Sequence, residues 1–286
     1  MADLRIGTCS WKFPSWHGLV YSAPKGINYL AEYARRYDTV EVDQWFWSLF
    51  GVDSVKLPAP ADVARYRDSV PDDFRFTVKA PNSVTLTHLY RKGKADPLVA
   101  NPHLFSLSLF ASFLSLLDPL EGILGPIMFQ FEYLNRQKMP SQARFLELFH
   151  QFADQLSPGY RYAVEVRNPK YLNGPYFEFL ERSGLSPVLL QGYWMPPIAD
   201  LYRQWCDLLL RQPFVVIRLL GPDRKGIEKQ TGKRWNEVVA PKDEELTSVA
   251  SMANELVAHG VDVYVNVNNH YEGSAPLTID RLQQLL

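Results

Sequence analysis

The chain has 286 residues, of which 47% are hydrophobic and 21% are charged. This is the composition of an ordinary globular protein, and it excludes a disordered or fibrous chain. The 30 Lys and Arg residues nearly balance the 31 Asp and Glu residues. The resulting net charge of −1 argues against a chain that is basic over its whole surface and binds nucleic acid through that charge.

Cysteine content and apolar runs predict where the protein resides. Cys9 and Cys206 are too few for a disulfide framework and indicate a reducing compartment. The first five residues lack the apolar segment of a secretory signal. The most apolar run, 105–117, has 13 residues including four serines, whereas a membrane-spanning helix needs about 20 apolar residues. The sequence therefore predicts a cytoplasmic protein that does not interact with membranes.

Short apolar runs rich in β-forming residues recur along the whole chain. Their apolarity is continuous rather than alternating, which is typical of parallel strands that are covered on both faces. The predicted strands are 4–9, 39–43, 74–79, 126–131, 162–166, 187–191, 214–219 and 262–267.

Helices are predicted between several of these strands. Run 105–117 is interpreted as a buried or amphipathic helix. A second predicted helix begins with acidic residues 243–245, which favour the positive end of a helix dipole. Two apolar stripes have the spacing of a helix face: Phe145, Leu148, Phe149, Phe152 and Leu156, and Leu246, Val249, Ala250, Ala253 and Val257.

Eight strands alternating with helices predict an α/β fold, a single (β/α)8 barrel of the TIM type over residues 1–286. About 250 residues is typical of that fold, and the mean spacing of strand ends, roughly 37 residues, suits βα units. A doubly wound open sheet is the alternative, but it usually carries a G-x-G-x-x-G turn after its first strand. Residues 7–11 read Gly-Thr-Cys-Ser-Trp, so the barrel is favoured.

Two long connections, 80–123 and 220–242, follow predicted strands. Both are expected at the carboxyl face of the barrel, where enzymes of this fold have their active sites. Connection 220–242 is either a solvated, mobile segment or a lid that closes on an anionic substrate. Its basic residues are Arg224, Lys225, Lys229, Lys233 and Arg234, and its glycines are Gly221, Gly226 and Gly232.

Polar side chains stand at the ends of most apolar runs. The carboxyl ends of barrel strands meet at one face, so these side chains are expected to converge. Charged groups are almost never fully buried without partners, and their convergence requires an ion-pair network or a polar ligand. The candidates are Glu41, Asp43, Lys79, Gln130, Glu165, Arg167, Asn168, Arg218, Asn268, Asn269 and His270.

Glu41 and Glu165 are the predicted general acid and base. Two carboxylates in one partly desolvated cavity tend to have separated pKa values. Because side chains alternate along a strand, Glu41 shares a face with Asp43, and Glu165 shares one with Arg167. The alternative is a structural role, with both glutamates in salt bridges to Arg167 and Arg218.

Lys79, His88 and His270 are further candidates for chemistry. A desolvated Lys79 would act as an amine nucleophile or proton donor, or else form a structural ion pair with Glu41. His88 and His270 titrate near neutral pH and are candidates for proton transfer, with surface or hydrogen-bonding roles as the alternative. Glu41, Glu165 and His270 have suitable ligand atoms for a divalent metal, but the sequence has no H-E-x-x-H motif or cysteine cluster. A metal is therefore the less favoured reading.

Aromatic residues cluster after the first two predicted strands. At a barrel mouth they would stack on sugar rings or bases, whereas buried they would fill the space under the loops. Burial is favoured for most of them, and Trp11 and Trp45 are the best candidates for ligand contact because they follow the strand ends most closely. The cluster comprises Trp11, Phe13, Trp16, Trp45, Phe46 and Trp47.

Eight short stretches, in order along the chain, resemble the domain of unknown function 72 family, also called YecE-like. Each stretch is unspecific alone, and together they span essentially the full chain. The resemblance implies a TIM barrel and no established activity. The stretches are Ile-Gly-Thr-Cys-Ser-Trp at 6–11, Val-Glu-Val-Asp at 40–43, Phe-Thr-Val-Lys-Ala-Pro at 76–81, Thr-His at 87–88, Phe-Gln-Phe at 129–131, Glu-Val-Arg-Asn at 165–168, Arg-Leu-Leu-Gly at 218–221 and Asn-Asn-His-Tyr-Glu-Gly-Ser-Ala at 268–275.

Several positions depart from the usual family pattern. Residues 9–10, Cys-Ser, stand where Ser-Gly is common, and 43–47 replace a typical Asn-Ser-Thr-Phe-Tyr. Residues 132–133, Glu-Tyr, replace Pro-Pro, and Leu220 stands where a histidine often precedes the glycine. The missing histidine puts in doubt any mechanism that needs it. Asp43 adds a negative charge beside Glu41 that either strengthens a cation site or pairs with Lys79.

The sequence favours an enzyme, a hydrolase, lyase or isomerase acting on a small polar, anionic substrate such as a sugar or phosphate ester. No organic cofactor is predicted, because no dinucleotide or Walker motif is present. The alternatives are a metal-dependent phosphodiesterase acting on nucleic acid and a non-catalytic binding protein on a barrel scaffold. The substrate's charge would be held by Arg167, Arg218 and Lys79, and its hydroxyls by Gln130, Asn268 and Asn269.

Overall fold

Eight parallel strands close into a barrel in the computed structural model, which describes residues 2–91, 93 and 95–286. The predicted (β/α)8 barrel is thereby confirmed. A short antiparallel hairpin, β3–β4, branches from the connection after β2. The strands are β1 Leu4–Cys9, β2 Thr39–Val42, β3 Leu49–Gly51, β4 Ser54–Val55, β5 Arg75–Lys79, β6 Leu124–Gln130, β7 Tyr162–Glu165, β8 Ser186–Gly192, β9 Phe214–Gly221 and β10 Asp262–Val267.

Helices surround this barrel. The closed strand order is β1-β10-β9-β8-β7-β6-β5-β2, so each barrel strand pairs with its neighbours in sequence and the last pairs with the first. The helices are α1 Tyr29–Tyr33, α2 Pro60–Asp68, α3 Asn82–Thr85, α4 Leu107–Leu116, α5 Gln142–Ala153, α6 Gly174–Arg182, α7 Ile198–Leu209, α8 Arg224–Thr231, α9 Asp243–Ala258 and α10 Ala275–Gln283.

Local chemistry explains where the structure departs from the predicted boundaries. Helix α4 begins at Leu107 because the Ser106 side chain accepts a hydrogen bond from the Leu109 amide at 3.3 Å. Helix α5 ends at Ala153, so the predicted stripe residue Leu156 lies beyond it. The sequence Ser-Pro-Gly at 157–159 follows directly, and the residue before a proline disfavours helical geometry.

The inside of the barrel changes from apolar to polar along the strands. An apolar cluster separate from the main core fills the amino-terminal half: Met128, Ala163, Val188, Phe214, Val216 and Tyr264. Side chains two residues apart on a strand share a face. The positions that follow on this inward face are therefore Gln130, Glu165, Leu190, Arg218 and Asn266. Inside the barrel, the apolar layer thus lies directly below a mostly polar layer that is nearer the carboxyl face.

Glycine allows close backbone approaches at two places in the barrel. A Cβ on Gly7 would lie 2.0 Å from the carbonyl oxygen of Thr39, at the contact between β1 and β2. At the carboxyl face, a Cβ on Gly192 would lie 2.5 Å from the carbonyl oxygen of Gly221, and one on Gly221 would lie 2.5 Å from that of His270. The end of β8, the end of β9 and the loop that follows β10 therefore lie in close backbone contact.

Candidate active site

Arg218, on β9, is the centre of the polar layer. It is 2% exposed, and its Nε and Nη2 donate to Oε2 and Oε1 of Glu41 on β2, both at 2.8 Å. Its Nη1 donates to Oε1 of Gln130 on β6 at 3.2 Å and to Oε2 of Glu165 on β7. One guanidinium thus holds side chains from three other strands, with a bidentate pair on Glu41.

Two further cations contact the buried carboxylates from the mouth of the barrel. Nζ of Lys79 lies 3.3 Å from Oε1 of Glu41, and Nε of Arg167 donates to Oε1 of Glu165 at 3.0 Å. The side chains of Lys79 and Arg167 are 11% and 23% exposed, whereas that of Glu165 is 1% exposed. The two cations are therefore the groups of this cluster that a ligand reaches first.

Both glutamates stay ionised at neutral pH. Burial raises the pKa of Glu41, but the charges of Arg218 and Lys79 outweigh it and hold the pKa below its ordinary value. Burial acts in the same way on Glu165, where Arg218 and Arg167 lower the pKa to about 2. Both pKa values are therefore lowered, because one arginine neutralises both carboxylates, and the separation between the two values stays a prediction.

Asp43 behaves in the opposite way. It follows β2 directly and is half-buried, and burial raises its pKa even though Lys79 opposes the shift. It also borders a cavity of about 620 Å³ that is lined by Ser10, Trp11, Gln44 and Tyr66, among others. Asp43 is thus a carboxyl group with a raised pKa that lies at the edge of both the charged layer and an open cavity.

The aromatic cluster after β1 and β2 is mostly buried, as predicted. Trp11 packs edge-on against Tyr66, with ring centroids 5.0 Å apart, and Trp45 stacks on the same ring at 5.2 Å. Trp11 lines the cavity beside Asp43, while Trp45 lines a second cavity that Tyr66 also borders. Trp47 is different, because 58% of its side chain is exposed.

Three predicted site residues have hydrogen-bonding contacts with the protein itself. The Asn168 amide donates to the Leu134 carbonyl at 2.9 Å and accepts from the Leu134 amide at 2.8 Å, so it fixes the loop after β6. Oδ1 of the buried Asn269 accepts from the amide of Ala275 at 2.9 Å, at the start of α10. Nδ1 of His88 lies 3.0 Å from Oγ1 of Thr87. Asn168 and Asn269 thus hold loop backbone in place, while substrate binding by these two residues and proton transfer by His88 stay predictions.

His270 joins the barrel to the predicted lid rather than to the charged layer. Its Nδ1 lies 2.5 Å from Oδ1 of Asn268 and its Nε2 lies 3.1 Å from Oε1 of Glu228, on α8. The His270 ring also packs edge-on against Trp235 with centroids 4.9 Å apart. Burial lowers the pKa of His270, although Glu228 opposes the shift. Connection 220–242 therefore contains a helix that is attached to the barrel at His270.

Cys9 and Asn266 belong to the polar layer but were missed from the sequence. Sγ of Cys9 lies 3.6 Å from Oε2 of Glu41 and from the carbonyl oxygen of Asn266. Burial and the nearby Glu41 raise the pKa of Cys9, which keeps it a thiol. Oδ1 of Asn266 accepts from Thr77 at 3.3 Å, and among the described residues its Nδ2 has no hydrogen-bond partner. Asn266 and Thr77 are each a polar residue inside an otherwise apolar strand, and this pattern could have identified them from the sequence.

Two negative findings concern only residues 2–91, 93 and 95–286. Within this part of the chain, no three His, Cys, Asp or Glu side chains are grouped so that they could hold a metal ion. Nor does any helix in these ranges combine the length and apolarity that crossing a membrane requires.

Comparisons with known proteins agree with the resemblance noted in the sequence. Crystal structures of DUF72 family proteins from Thermotoga maritima MSB8 and Enterococcus faecalis V583 are 24% and 19% identical to this chain. The first covers 98% of this chain and 97% of its own, with a TM-score of 0.64. The second covers 99% and 95%, with a TM-score of 0.66. At these levels of sequence identity, the two crystal structures show the fold of this chain.

A curated relative adds similarity at the sequence level. The UPF0759 protein YecE of Escherichia coli K12 is 30% identical over 193 residues, which are 65% of this chain. The match spans 58% of the length of that relative. The family model described as protein of unknown function DUF72 matches residues 5–286. The chain therefore belongs to the DUF72 family.

Proposed function

We propose that the protein is an enzyme that acts on a small polar substrate bearing a negative charge, a sugar acid or a sugar phosphate, at the carboxyl face of the barrel. The observation that carries this proposal is the convergence of charged side chains from different strands around Arg218. The outer members of that cluster, Lys79, Arg167 and Asp43, remain partly accessible.

The charges of the cluster suit an anionic ligand. Arg218, Lys79 and Arg167 balance Glu41, Glu165 and Asp43 when all six groups are ionised. Burial raises the pKa of Asp43, and a negative substrate group between Lys79 and Arg167 would raise it further. Uptake of a proton by this carboxyl would then offset the added negative charge.

The contacts also divide the roles. Glu41 and Glu165 keep their charge, and each of their four carboxylate oxygens contacts a cation, so we assign them to positioning Arg218, Lys79 and Arg167. The pKa of Asp43 is raised, which is the direction that favours general acid or base catalysis near neutral pH. Lys79 and Arg167 would bind the negative group and stabilise charge that develops in the transition state.

Ligand binding tests the substrate class. In a thermal-shift titration, glucuronate, glucose phosphate and inorganic phosphate should raise the Tm of the wild-type protein, whereas glucose should not. Lys79→Met should weaken binding of the anions at least tenfold, which corresponds to a charge-assisted contact of about 1.5–3 kcal/mol.

Lys138→Met is the matched control for this titration. Lys138 lies in the loop after β6, at the carboxyl face. Like Lys79, it pairs with a carboxylate, that of Glu132, and its side chain is 18% exposed. The Lys138→Met variant should bind the anions as tightly as the wild-type protein does. Equal stabilisation by glucose, or unchanged anion binding in Lys79→Met, would contradict the proposal.

Asp43→Asn separates an enzyme from a binding protein. The variant should keep anion binding and lose conversion of any ligand that the wild-type protein turns over, followed by mass spectrometry of the incubated ligands. Binding with no conversion by the wild-type protein would instead support the non-catalytic alternative.

A further inference from the structure

Exposed aromatic side chains concentrate at the carboxyl face of the barrel. In the described part of the chain, the exposed aromatic residues all lie in connections that follow barrel strands β2, β5, β6 and β8. Exposed apolar surface gathered in one place marks an interaction site more often than scattered exposure does. These residues are Trp47, Phe50, Tyr90, Tyr133 and Trp194.

Two of these residues are connected to the accessible cations of the charged cluster. Nζ of Lys79 lies 5.5 Å from the ring centroid of Phe46, whose neighbour Trp47 is 5.2 Å away. The Arg167 guanidinium lies 5.1 Å from the ring of Tyr193, and Trp194 is 5.7 Å from that ring. Each cation thus contacts one aromatic ring, and that ring lies next to an exposed tryptophan.

The two tryptophans lie in connections that begin on opposite sides of the mouth. In the closed strand order, β2 and β8 are four positions apart among eight strands, so they face each other across the barrel. Strands about 4.8 Å apart with a tilt of about 36° give a barrel about 15 Å across. A ligand that spans the mouth from the end of β2 to the end of β8 is therefore longer than a single sugar ring.

We propose that the mouth binds an acidic oligosaccharide of a few sugar units, with rings stacked on Trp47 and Trp194 and its negative group between Lys79 and Arg167. The inference rests on the proposed function and extends it from a single sugar to a chain. Exposed indole rings are suited to stacking on the apolar faces of sugars.

The charges at the mouth favour a glycan over a nucleic acid. Lys79 and Arg167 are already paired with Glu41 and Glu165, and Lys138 is paired with Glu132. A nucleic acid strand brings one phosphate per nucleotide and needs cations that follow its backbone. A ligand with one negative group at the centre and neutral rings at its ends suits these paired cations better.

Titrations that follow tryptophan fluorescence test the inference. Trigalacturonate should bind the full-length wild-type protein at least tenfold more tightly than galacturonate, while maltotriose and a thymidine trinucleotide bind more weakly than trigalacturonate. Trp47→Ala and Trp194→Ala should each weaken trigalacturonate binding by roughly tenfold and leave galacturonate binding unchanged. Calorimetry provides the same constants without relying on the substituted fluorophore.

Conservative and control variants complete the test. Trp47→Phe and Trp194→Phe should restore most of the affinity, because a ring remains. Leu285→Ala removes an exposed apolar side chain just after α10, away from the mouth, and should have no effect.

The two proposals fail in different ways. If galacturonate binds through Lys79 but trigalacturonate binds no more tightly, the extended site is overturned and the proposed function stands. If the trinucleotide binds more tightly than trigalacturonate, the mouth is a nucleic-acid surface and the inference is overturned. If neither sugar acid binds but glucose phosphate does, the inference is overturned and the proposed function stands. If no sugar acid, sugar phosphate or inorganic phosphate binds, both proposals are wrong.

Discussion

Glu165 illustrates how one buried carboxylate can be held ionised in a barrel interior. Its Oε1 and Oε2 accept from Arg167 and Arg218 respectively. Removing one partner of a buried ion pair leaves an uncompensated charge and typically costs about 3–5 kcal/mol, whereas the pair as a whole contributes little. The arrangement therefore makes the protein sensitive to loss of any single member.

This arrangement predicts a defined acid sensitivity. The folded-state pKa of Glu165 is lowered from 4.5 to about 2, so the carboxylate contributes stability above pH 4.5 that is lost as the pH falls towards 2. The shift corresponds to about 3 kcal/mol at neutral pH. Glu165→Gln should lower the free energy of unfolding by about that amount at pH 7, and its difference from the wild-type protein should shrink below pH 4.5, in denaturant titrations across pH.

Glu181→Gln is the matched control, because Glu181 pairs with Arg211 on the exposed surface. Its stability should follow the wild-type protein at each pH. A Glu165→Gln variant as stable as the wild-type protein at pH 7 would show that the buried pair contributes no net stability.

At the scale of elements, helix α8 is well defined at both ends. Asp223 accepts a hydrogen bond from the Gly226 amide at 2.9 Å, and Gly232 ends the helix in the left-handed conformation with φ of 57°. Between these ends, Glu228 contacts His270 on the barrel. The connection predicted as either a solvated, mobile segment or a lid therefore contains a capped helix, and Glu228 on this helix contacts His270 beside the mouth.

Glu228→Ala tests whether this attachment holds the helix in place. Alanine keeps the helix propensity while removing the contact with His270 and the exposed ion pairs of Glu228 with Arg224 and Lys233. Amide hydrogen exchange over 224–231 should become faster, with the Tm of the whole protein nearly unchanged. Glu237→Ala, an exposed position in the same connection, should leave exchange as it is. Unchanged exchange in Glu228→Ala would mean that the His270 contact does not restrain the helix.

At the scale of the whole molecule, closure of the barrel depends on the contact between β1 and β2. Gly7→Ala would place a Cβ 2.0 Å from the backbone oxygen of Thr39, where no side chain can move aside. We expect a loss of about 3 kcal/mol or more in denaturant titrations. Gly51→Ala is the control, since its added Cβ would make an ordinary 3.5 Å contact with Ser54. Comparable stability of the two variants would show that the β1–β2 contact tolerates adjustment.

Much of the fold could be predicted because fully covered parallel strands are continuously apolar. Runs 4–9 and 262–267 match β1 and β10 at both ends. Glu41, Lys79 and Glu165 could be predicted to converge because a barrel brings all strand ends to one face. Which side of each strand faces the interior was not predictable, since alternation relates positions to each other and not to the lumen.

Loop residues were predicted less well because their partners are set by loop conformation. Asn168 binds the backbone of Leu134, 34 positions away, and no periodic pattern encodes that contact. Trp194 was missed for a related reason, because its exposure depends on the turn after β8. Ser10 has a φ of 70°, a conformation that favours glycine, and no pattern in the sequence reveals this.

The backbone contacts among Gly192, Gly221 and His270 also constrain how the protein can be re-engineered. With no side-chain layer between them, a shift of one strand end displaces the next, so the connections after β8, β9 and β10 form one mechanical unit. A connection grafted in place of any one of them has to reproduce these close backbone approaches. Exchanging the three connections together preserves the approaches, because all the contacting backbone then comes from one source.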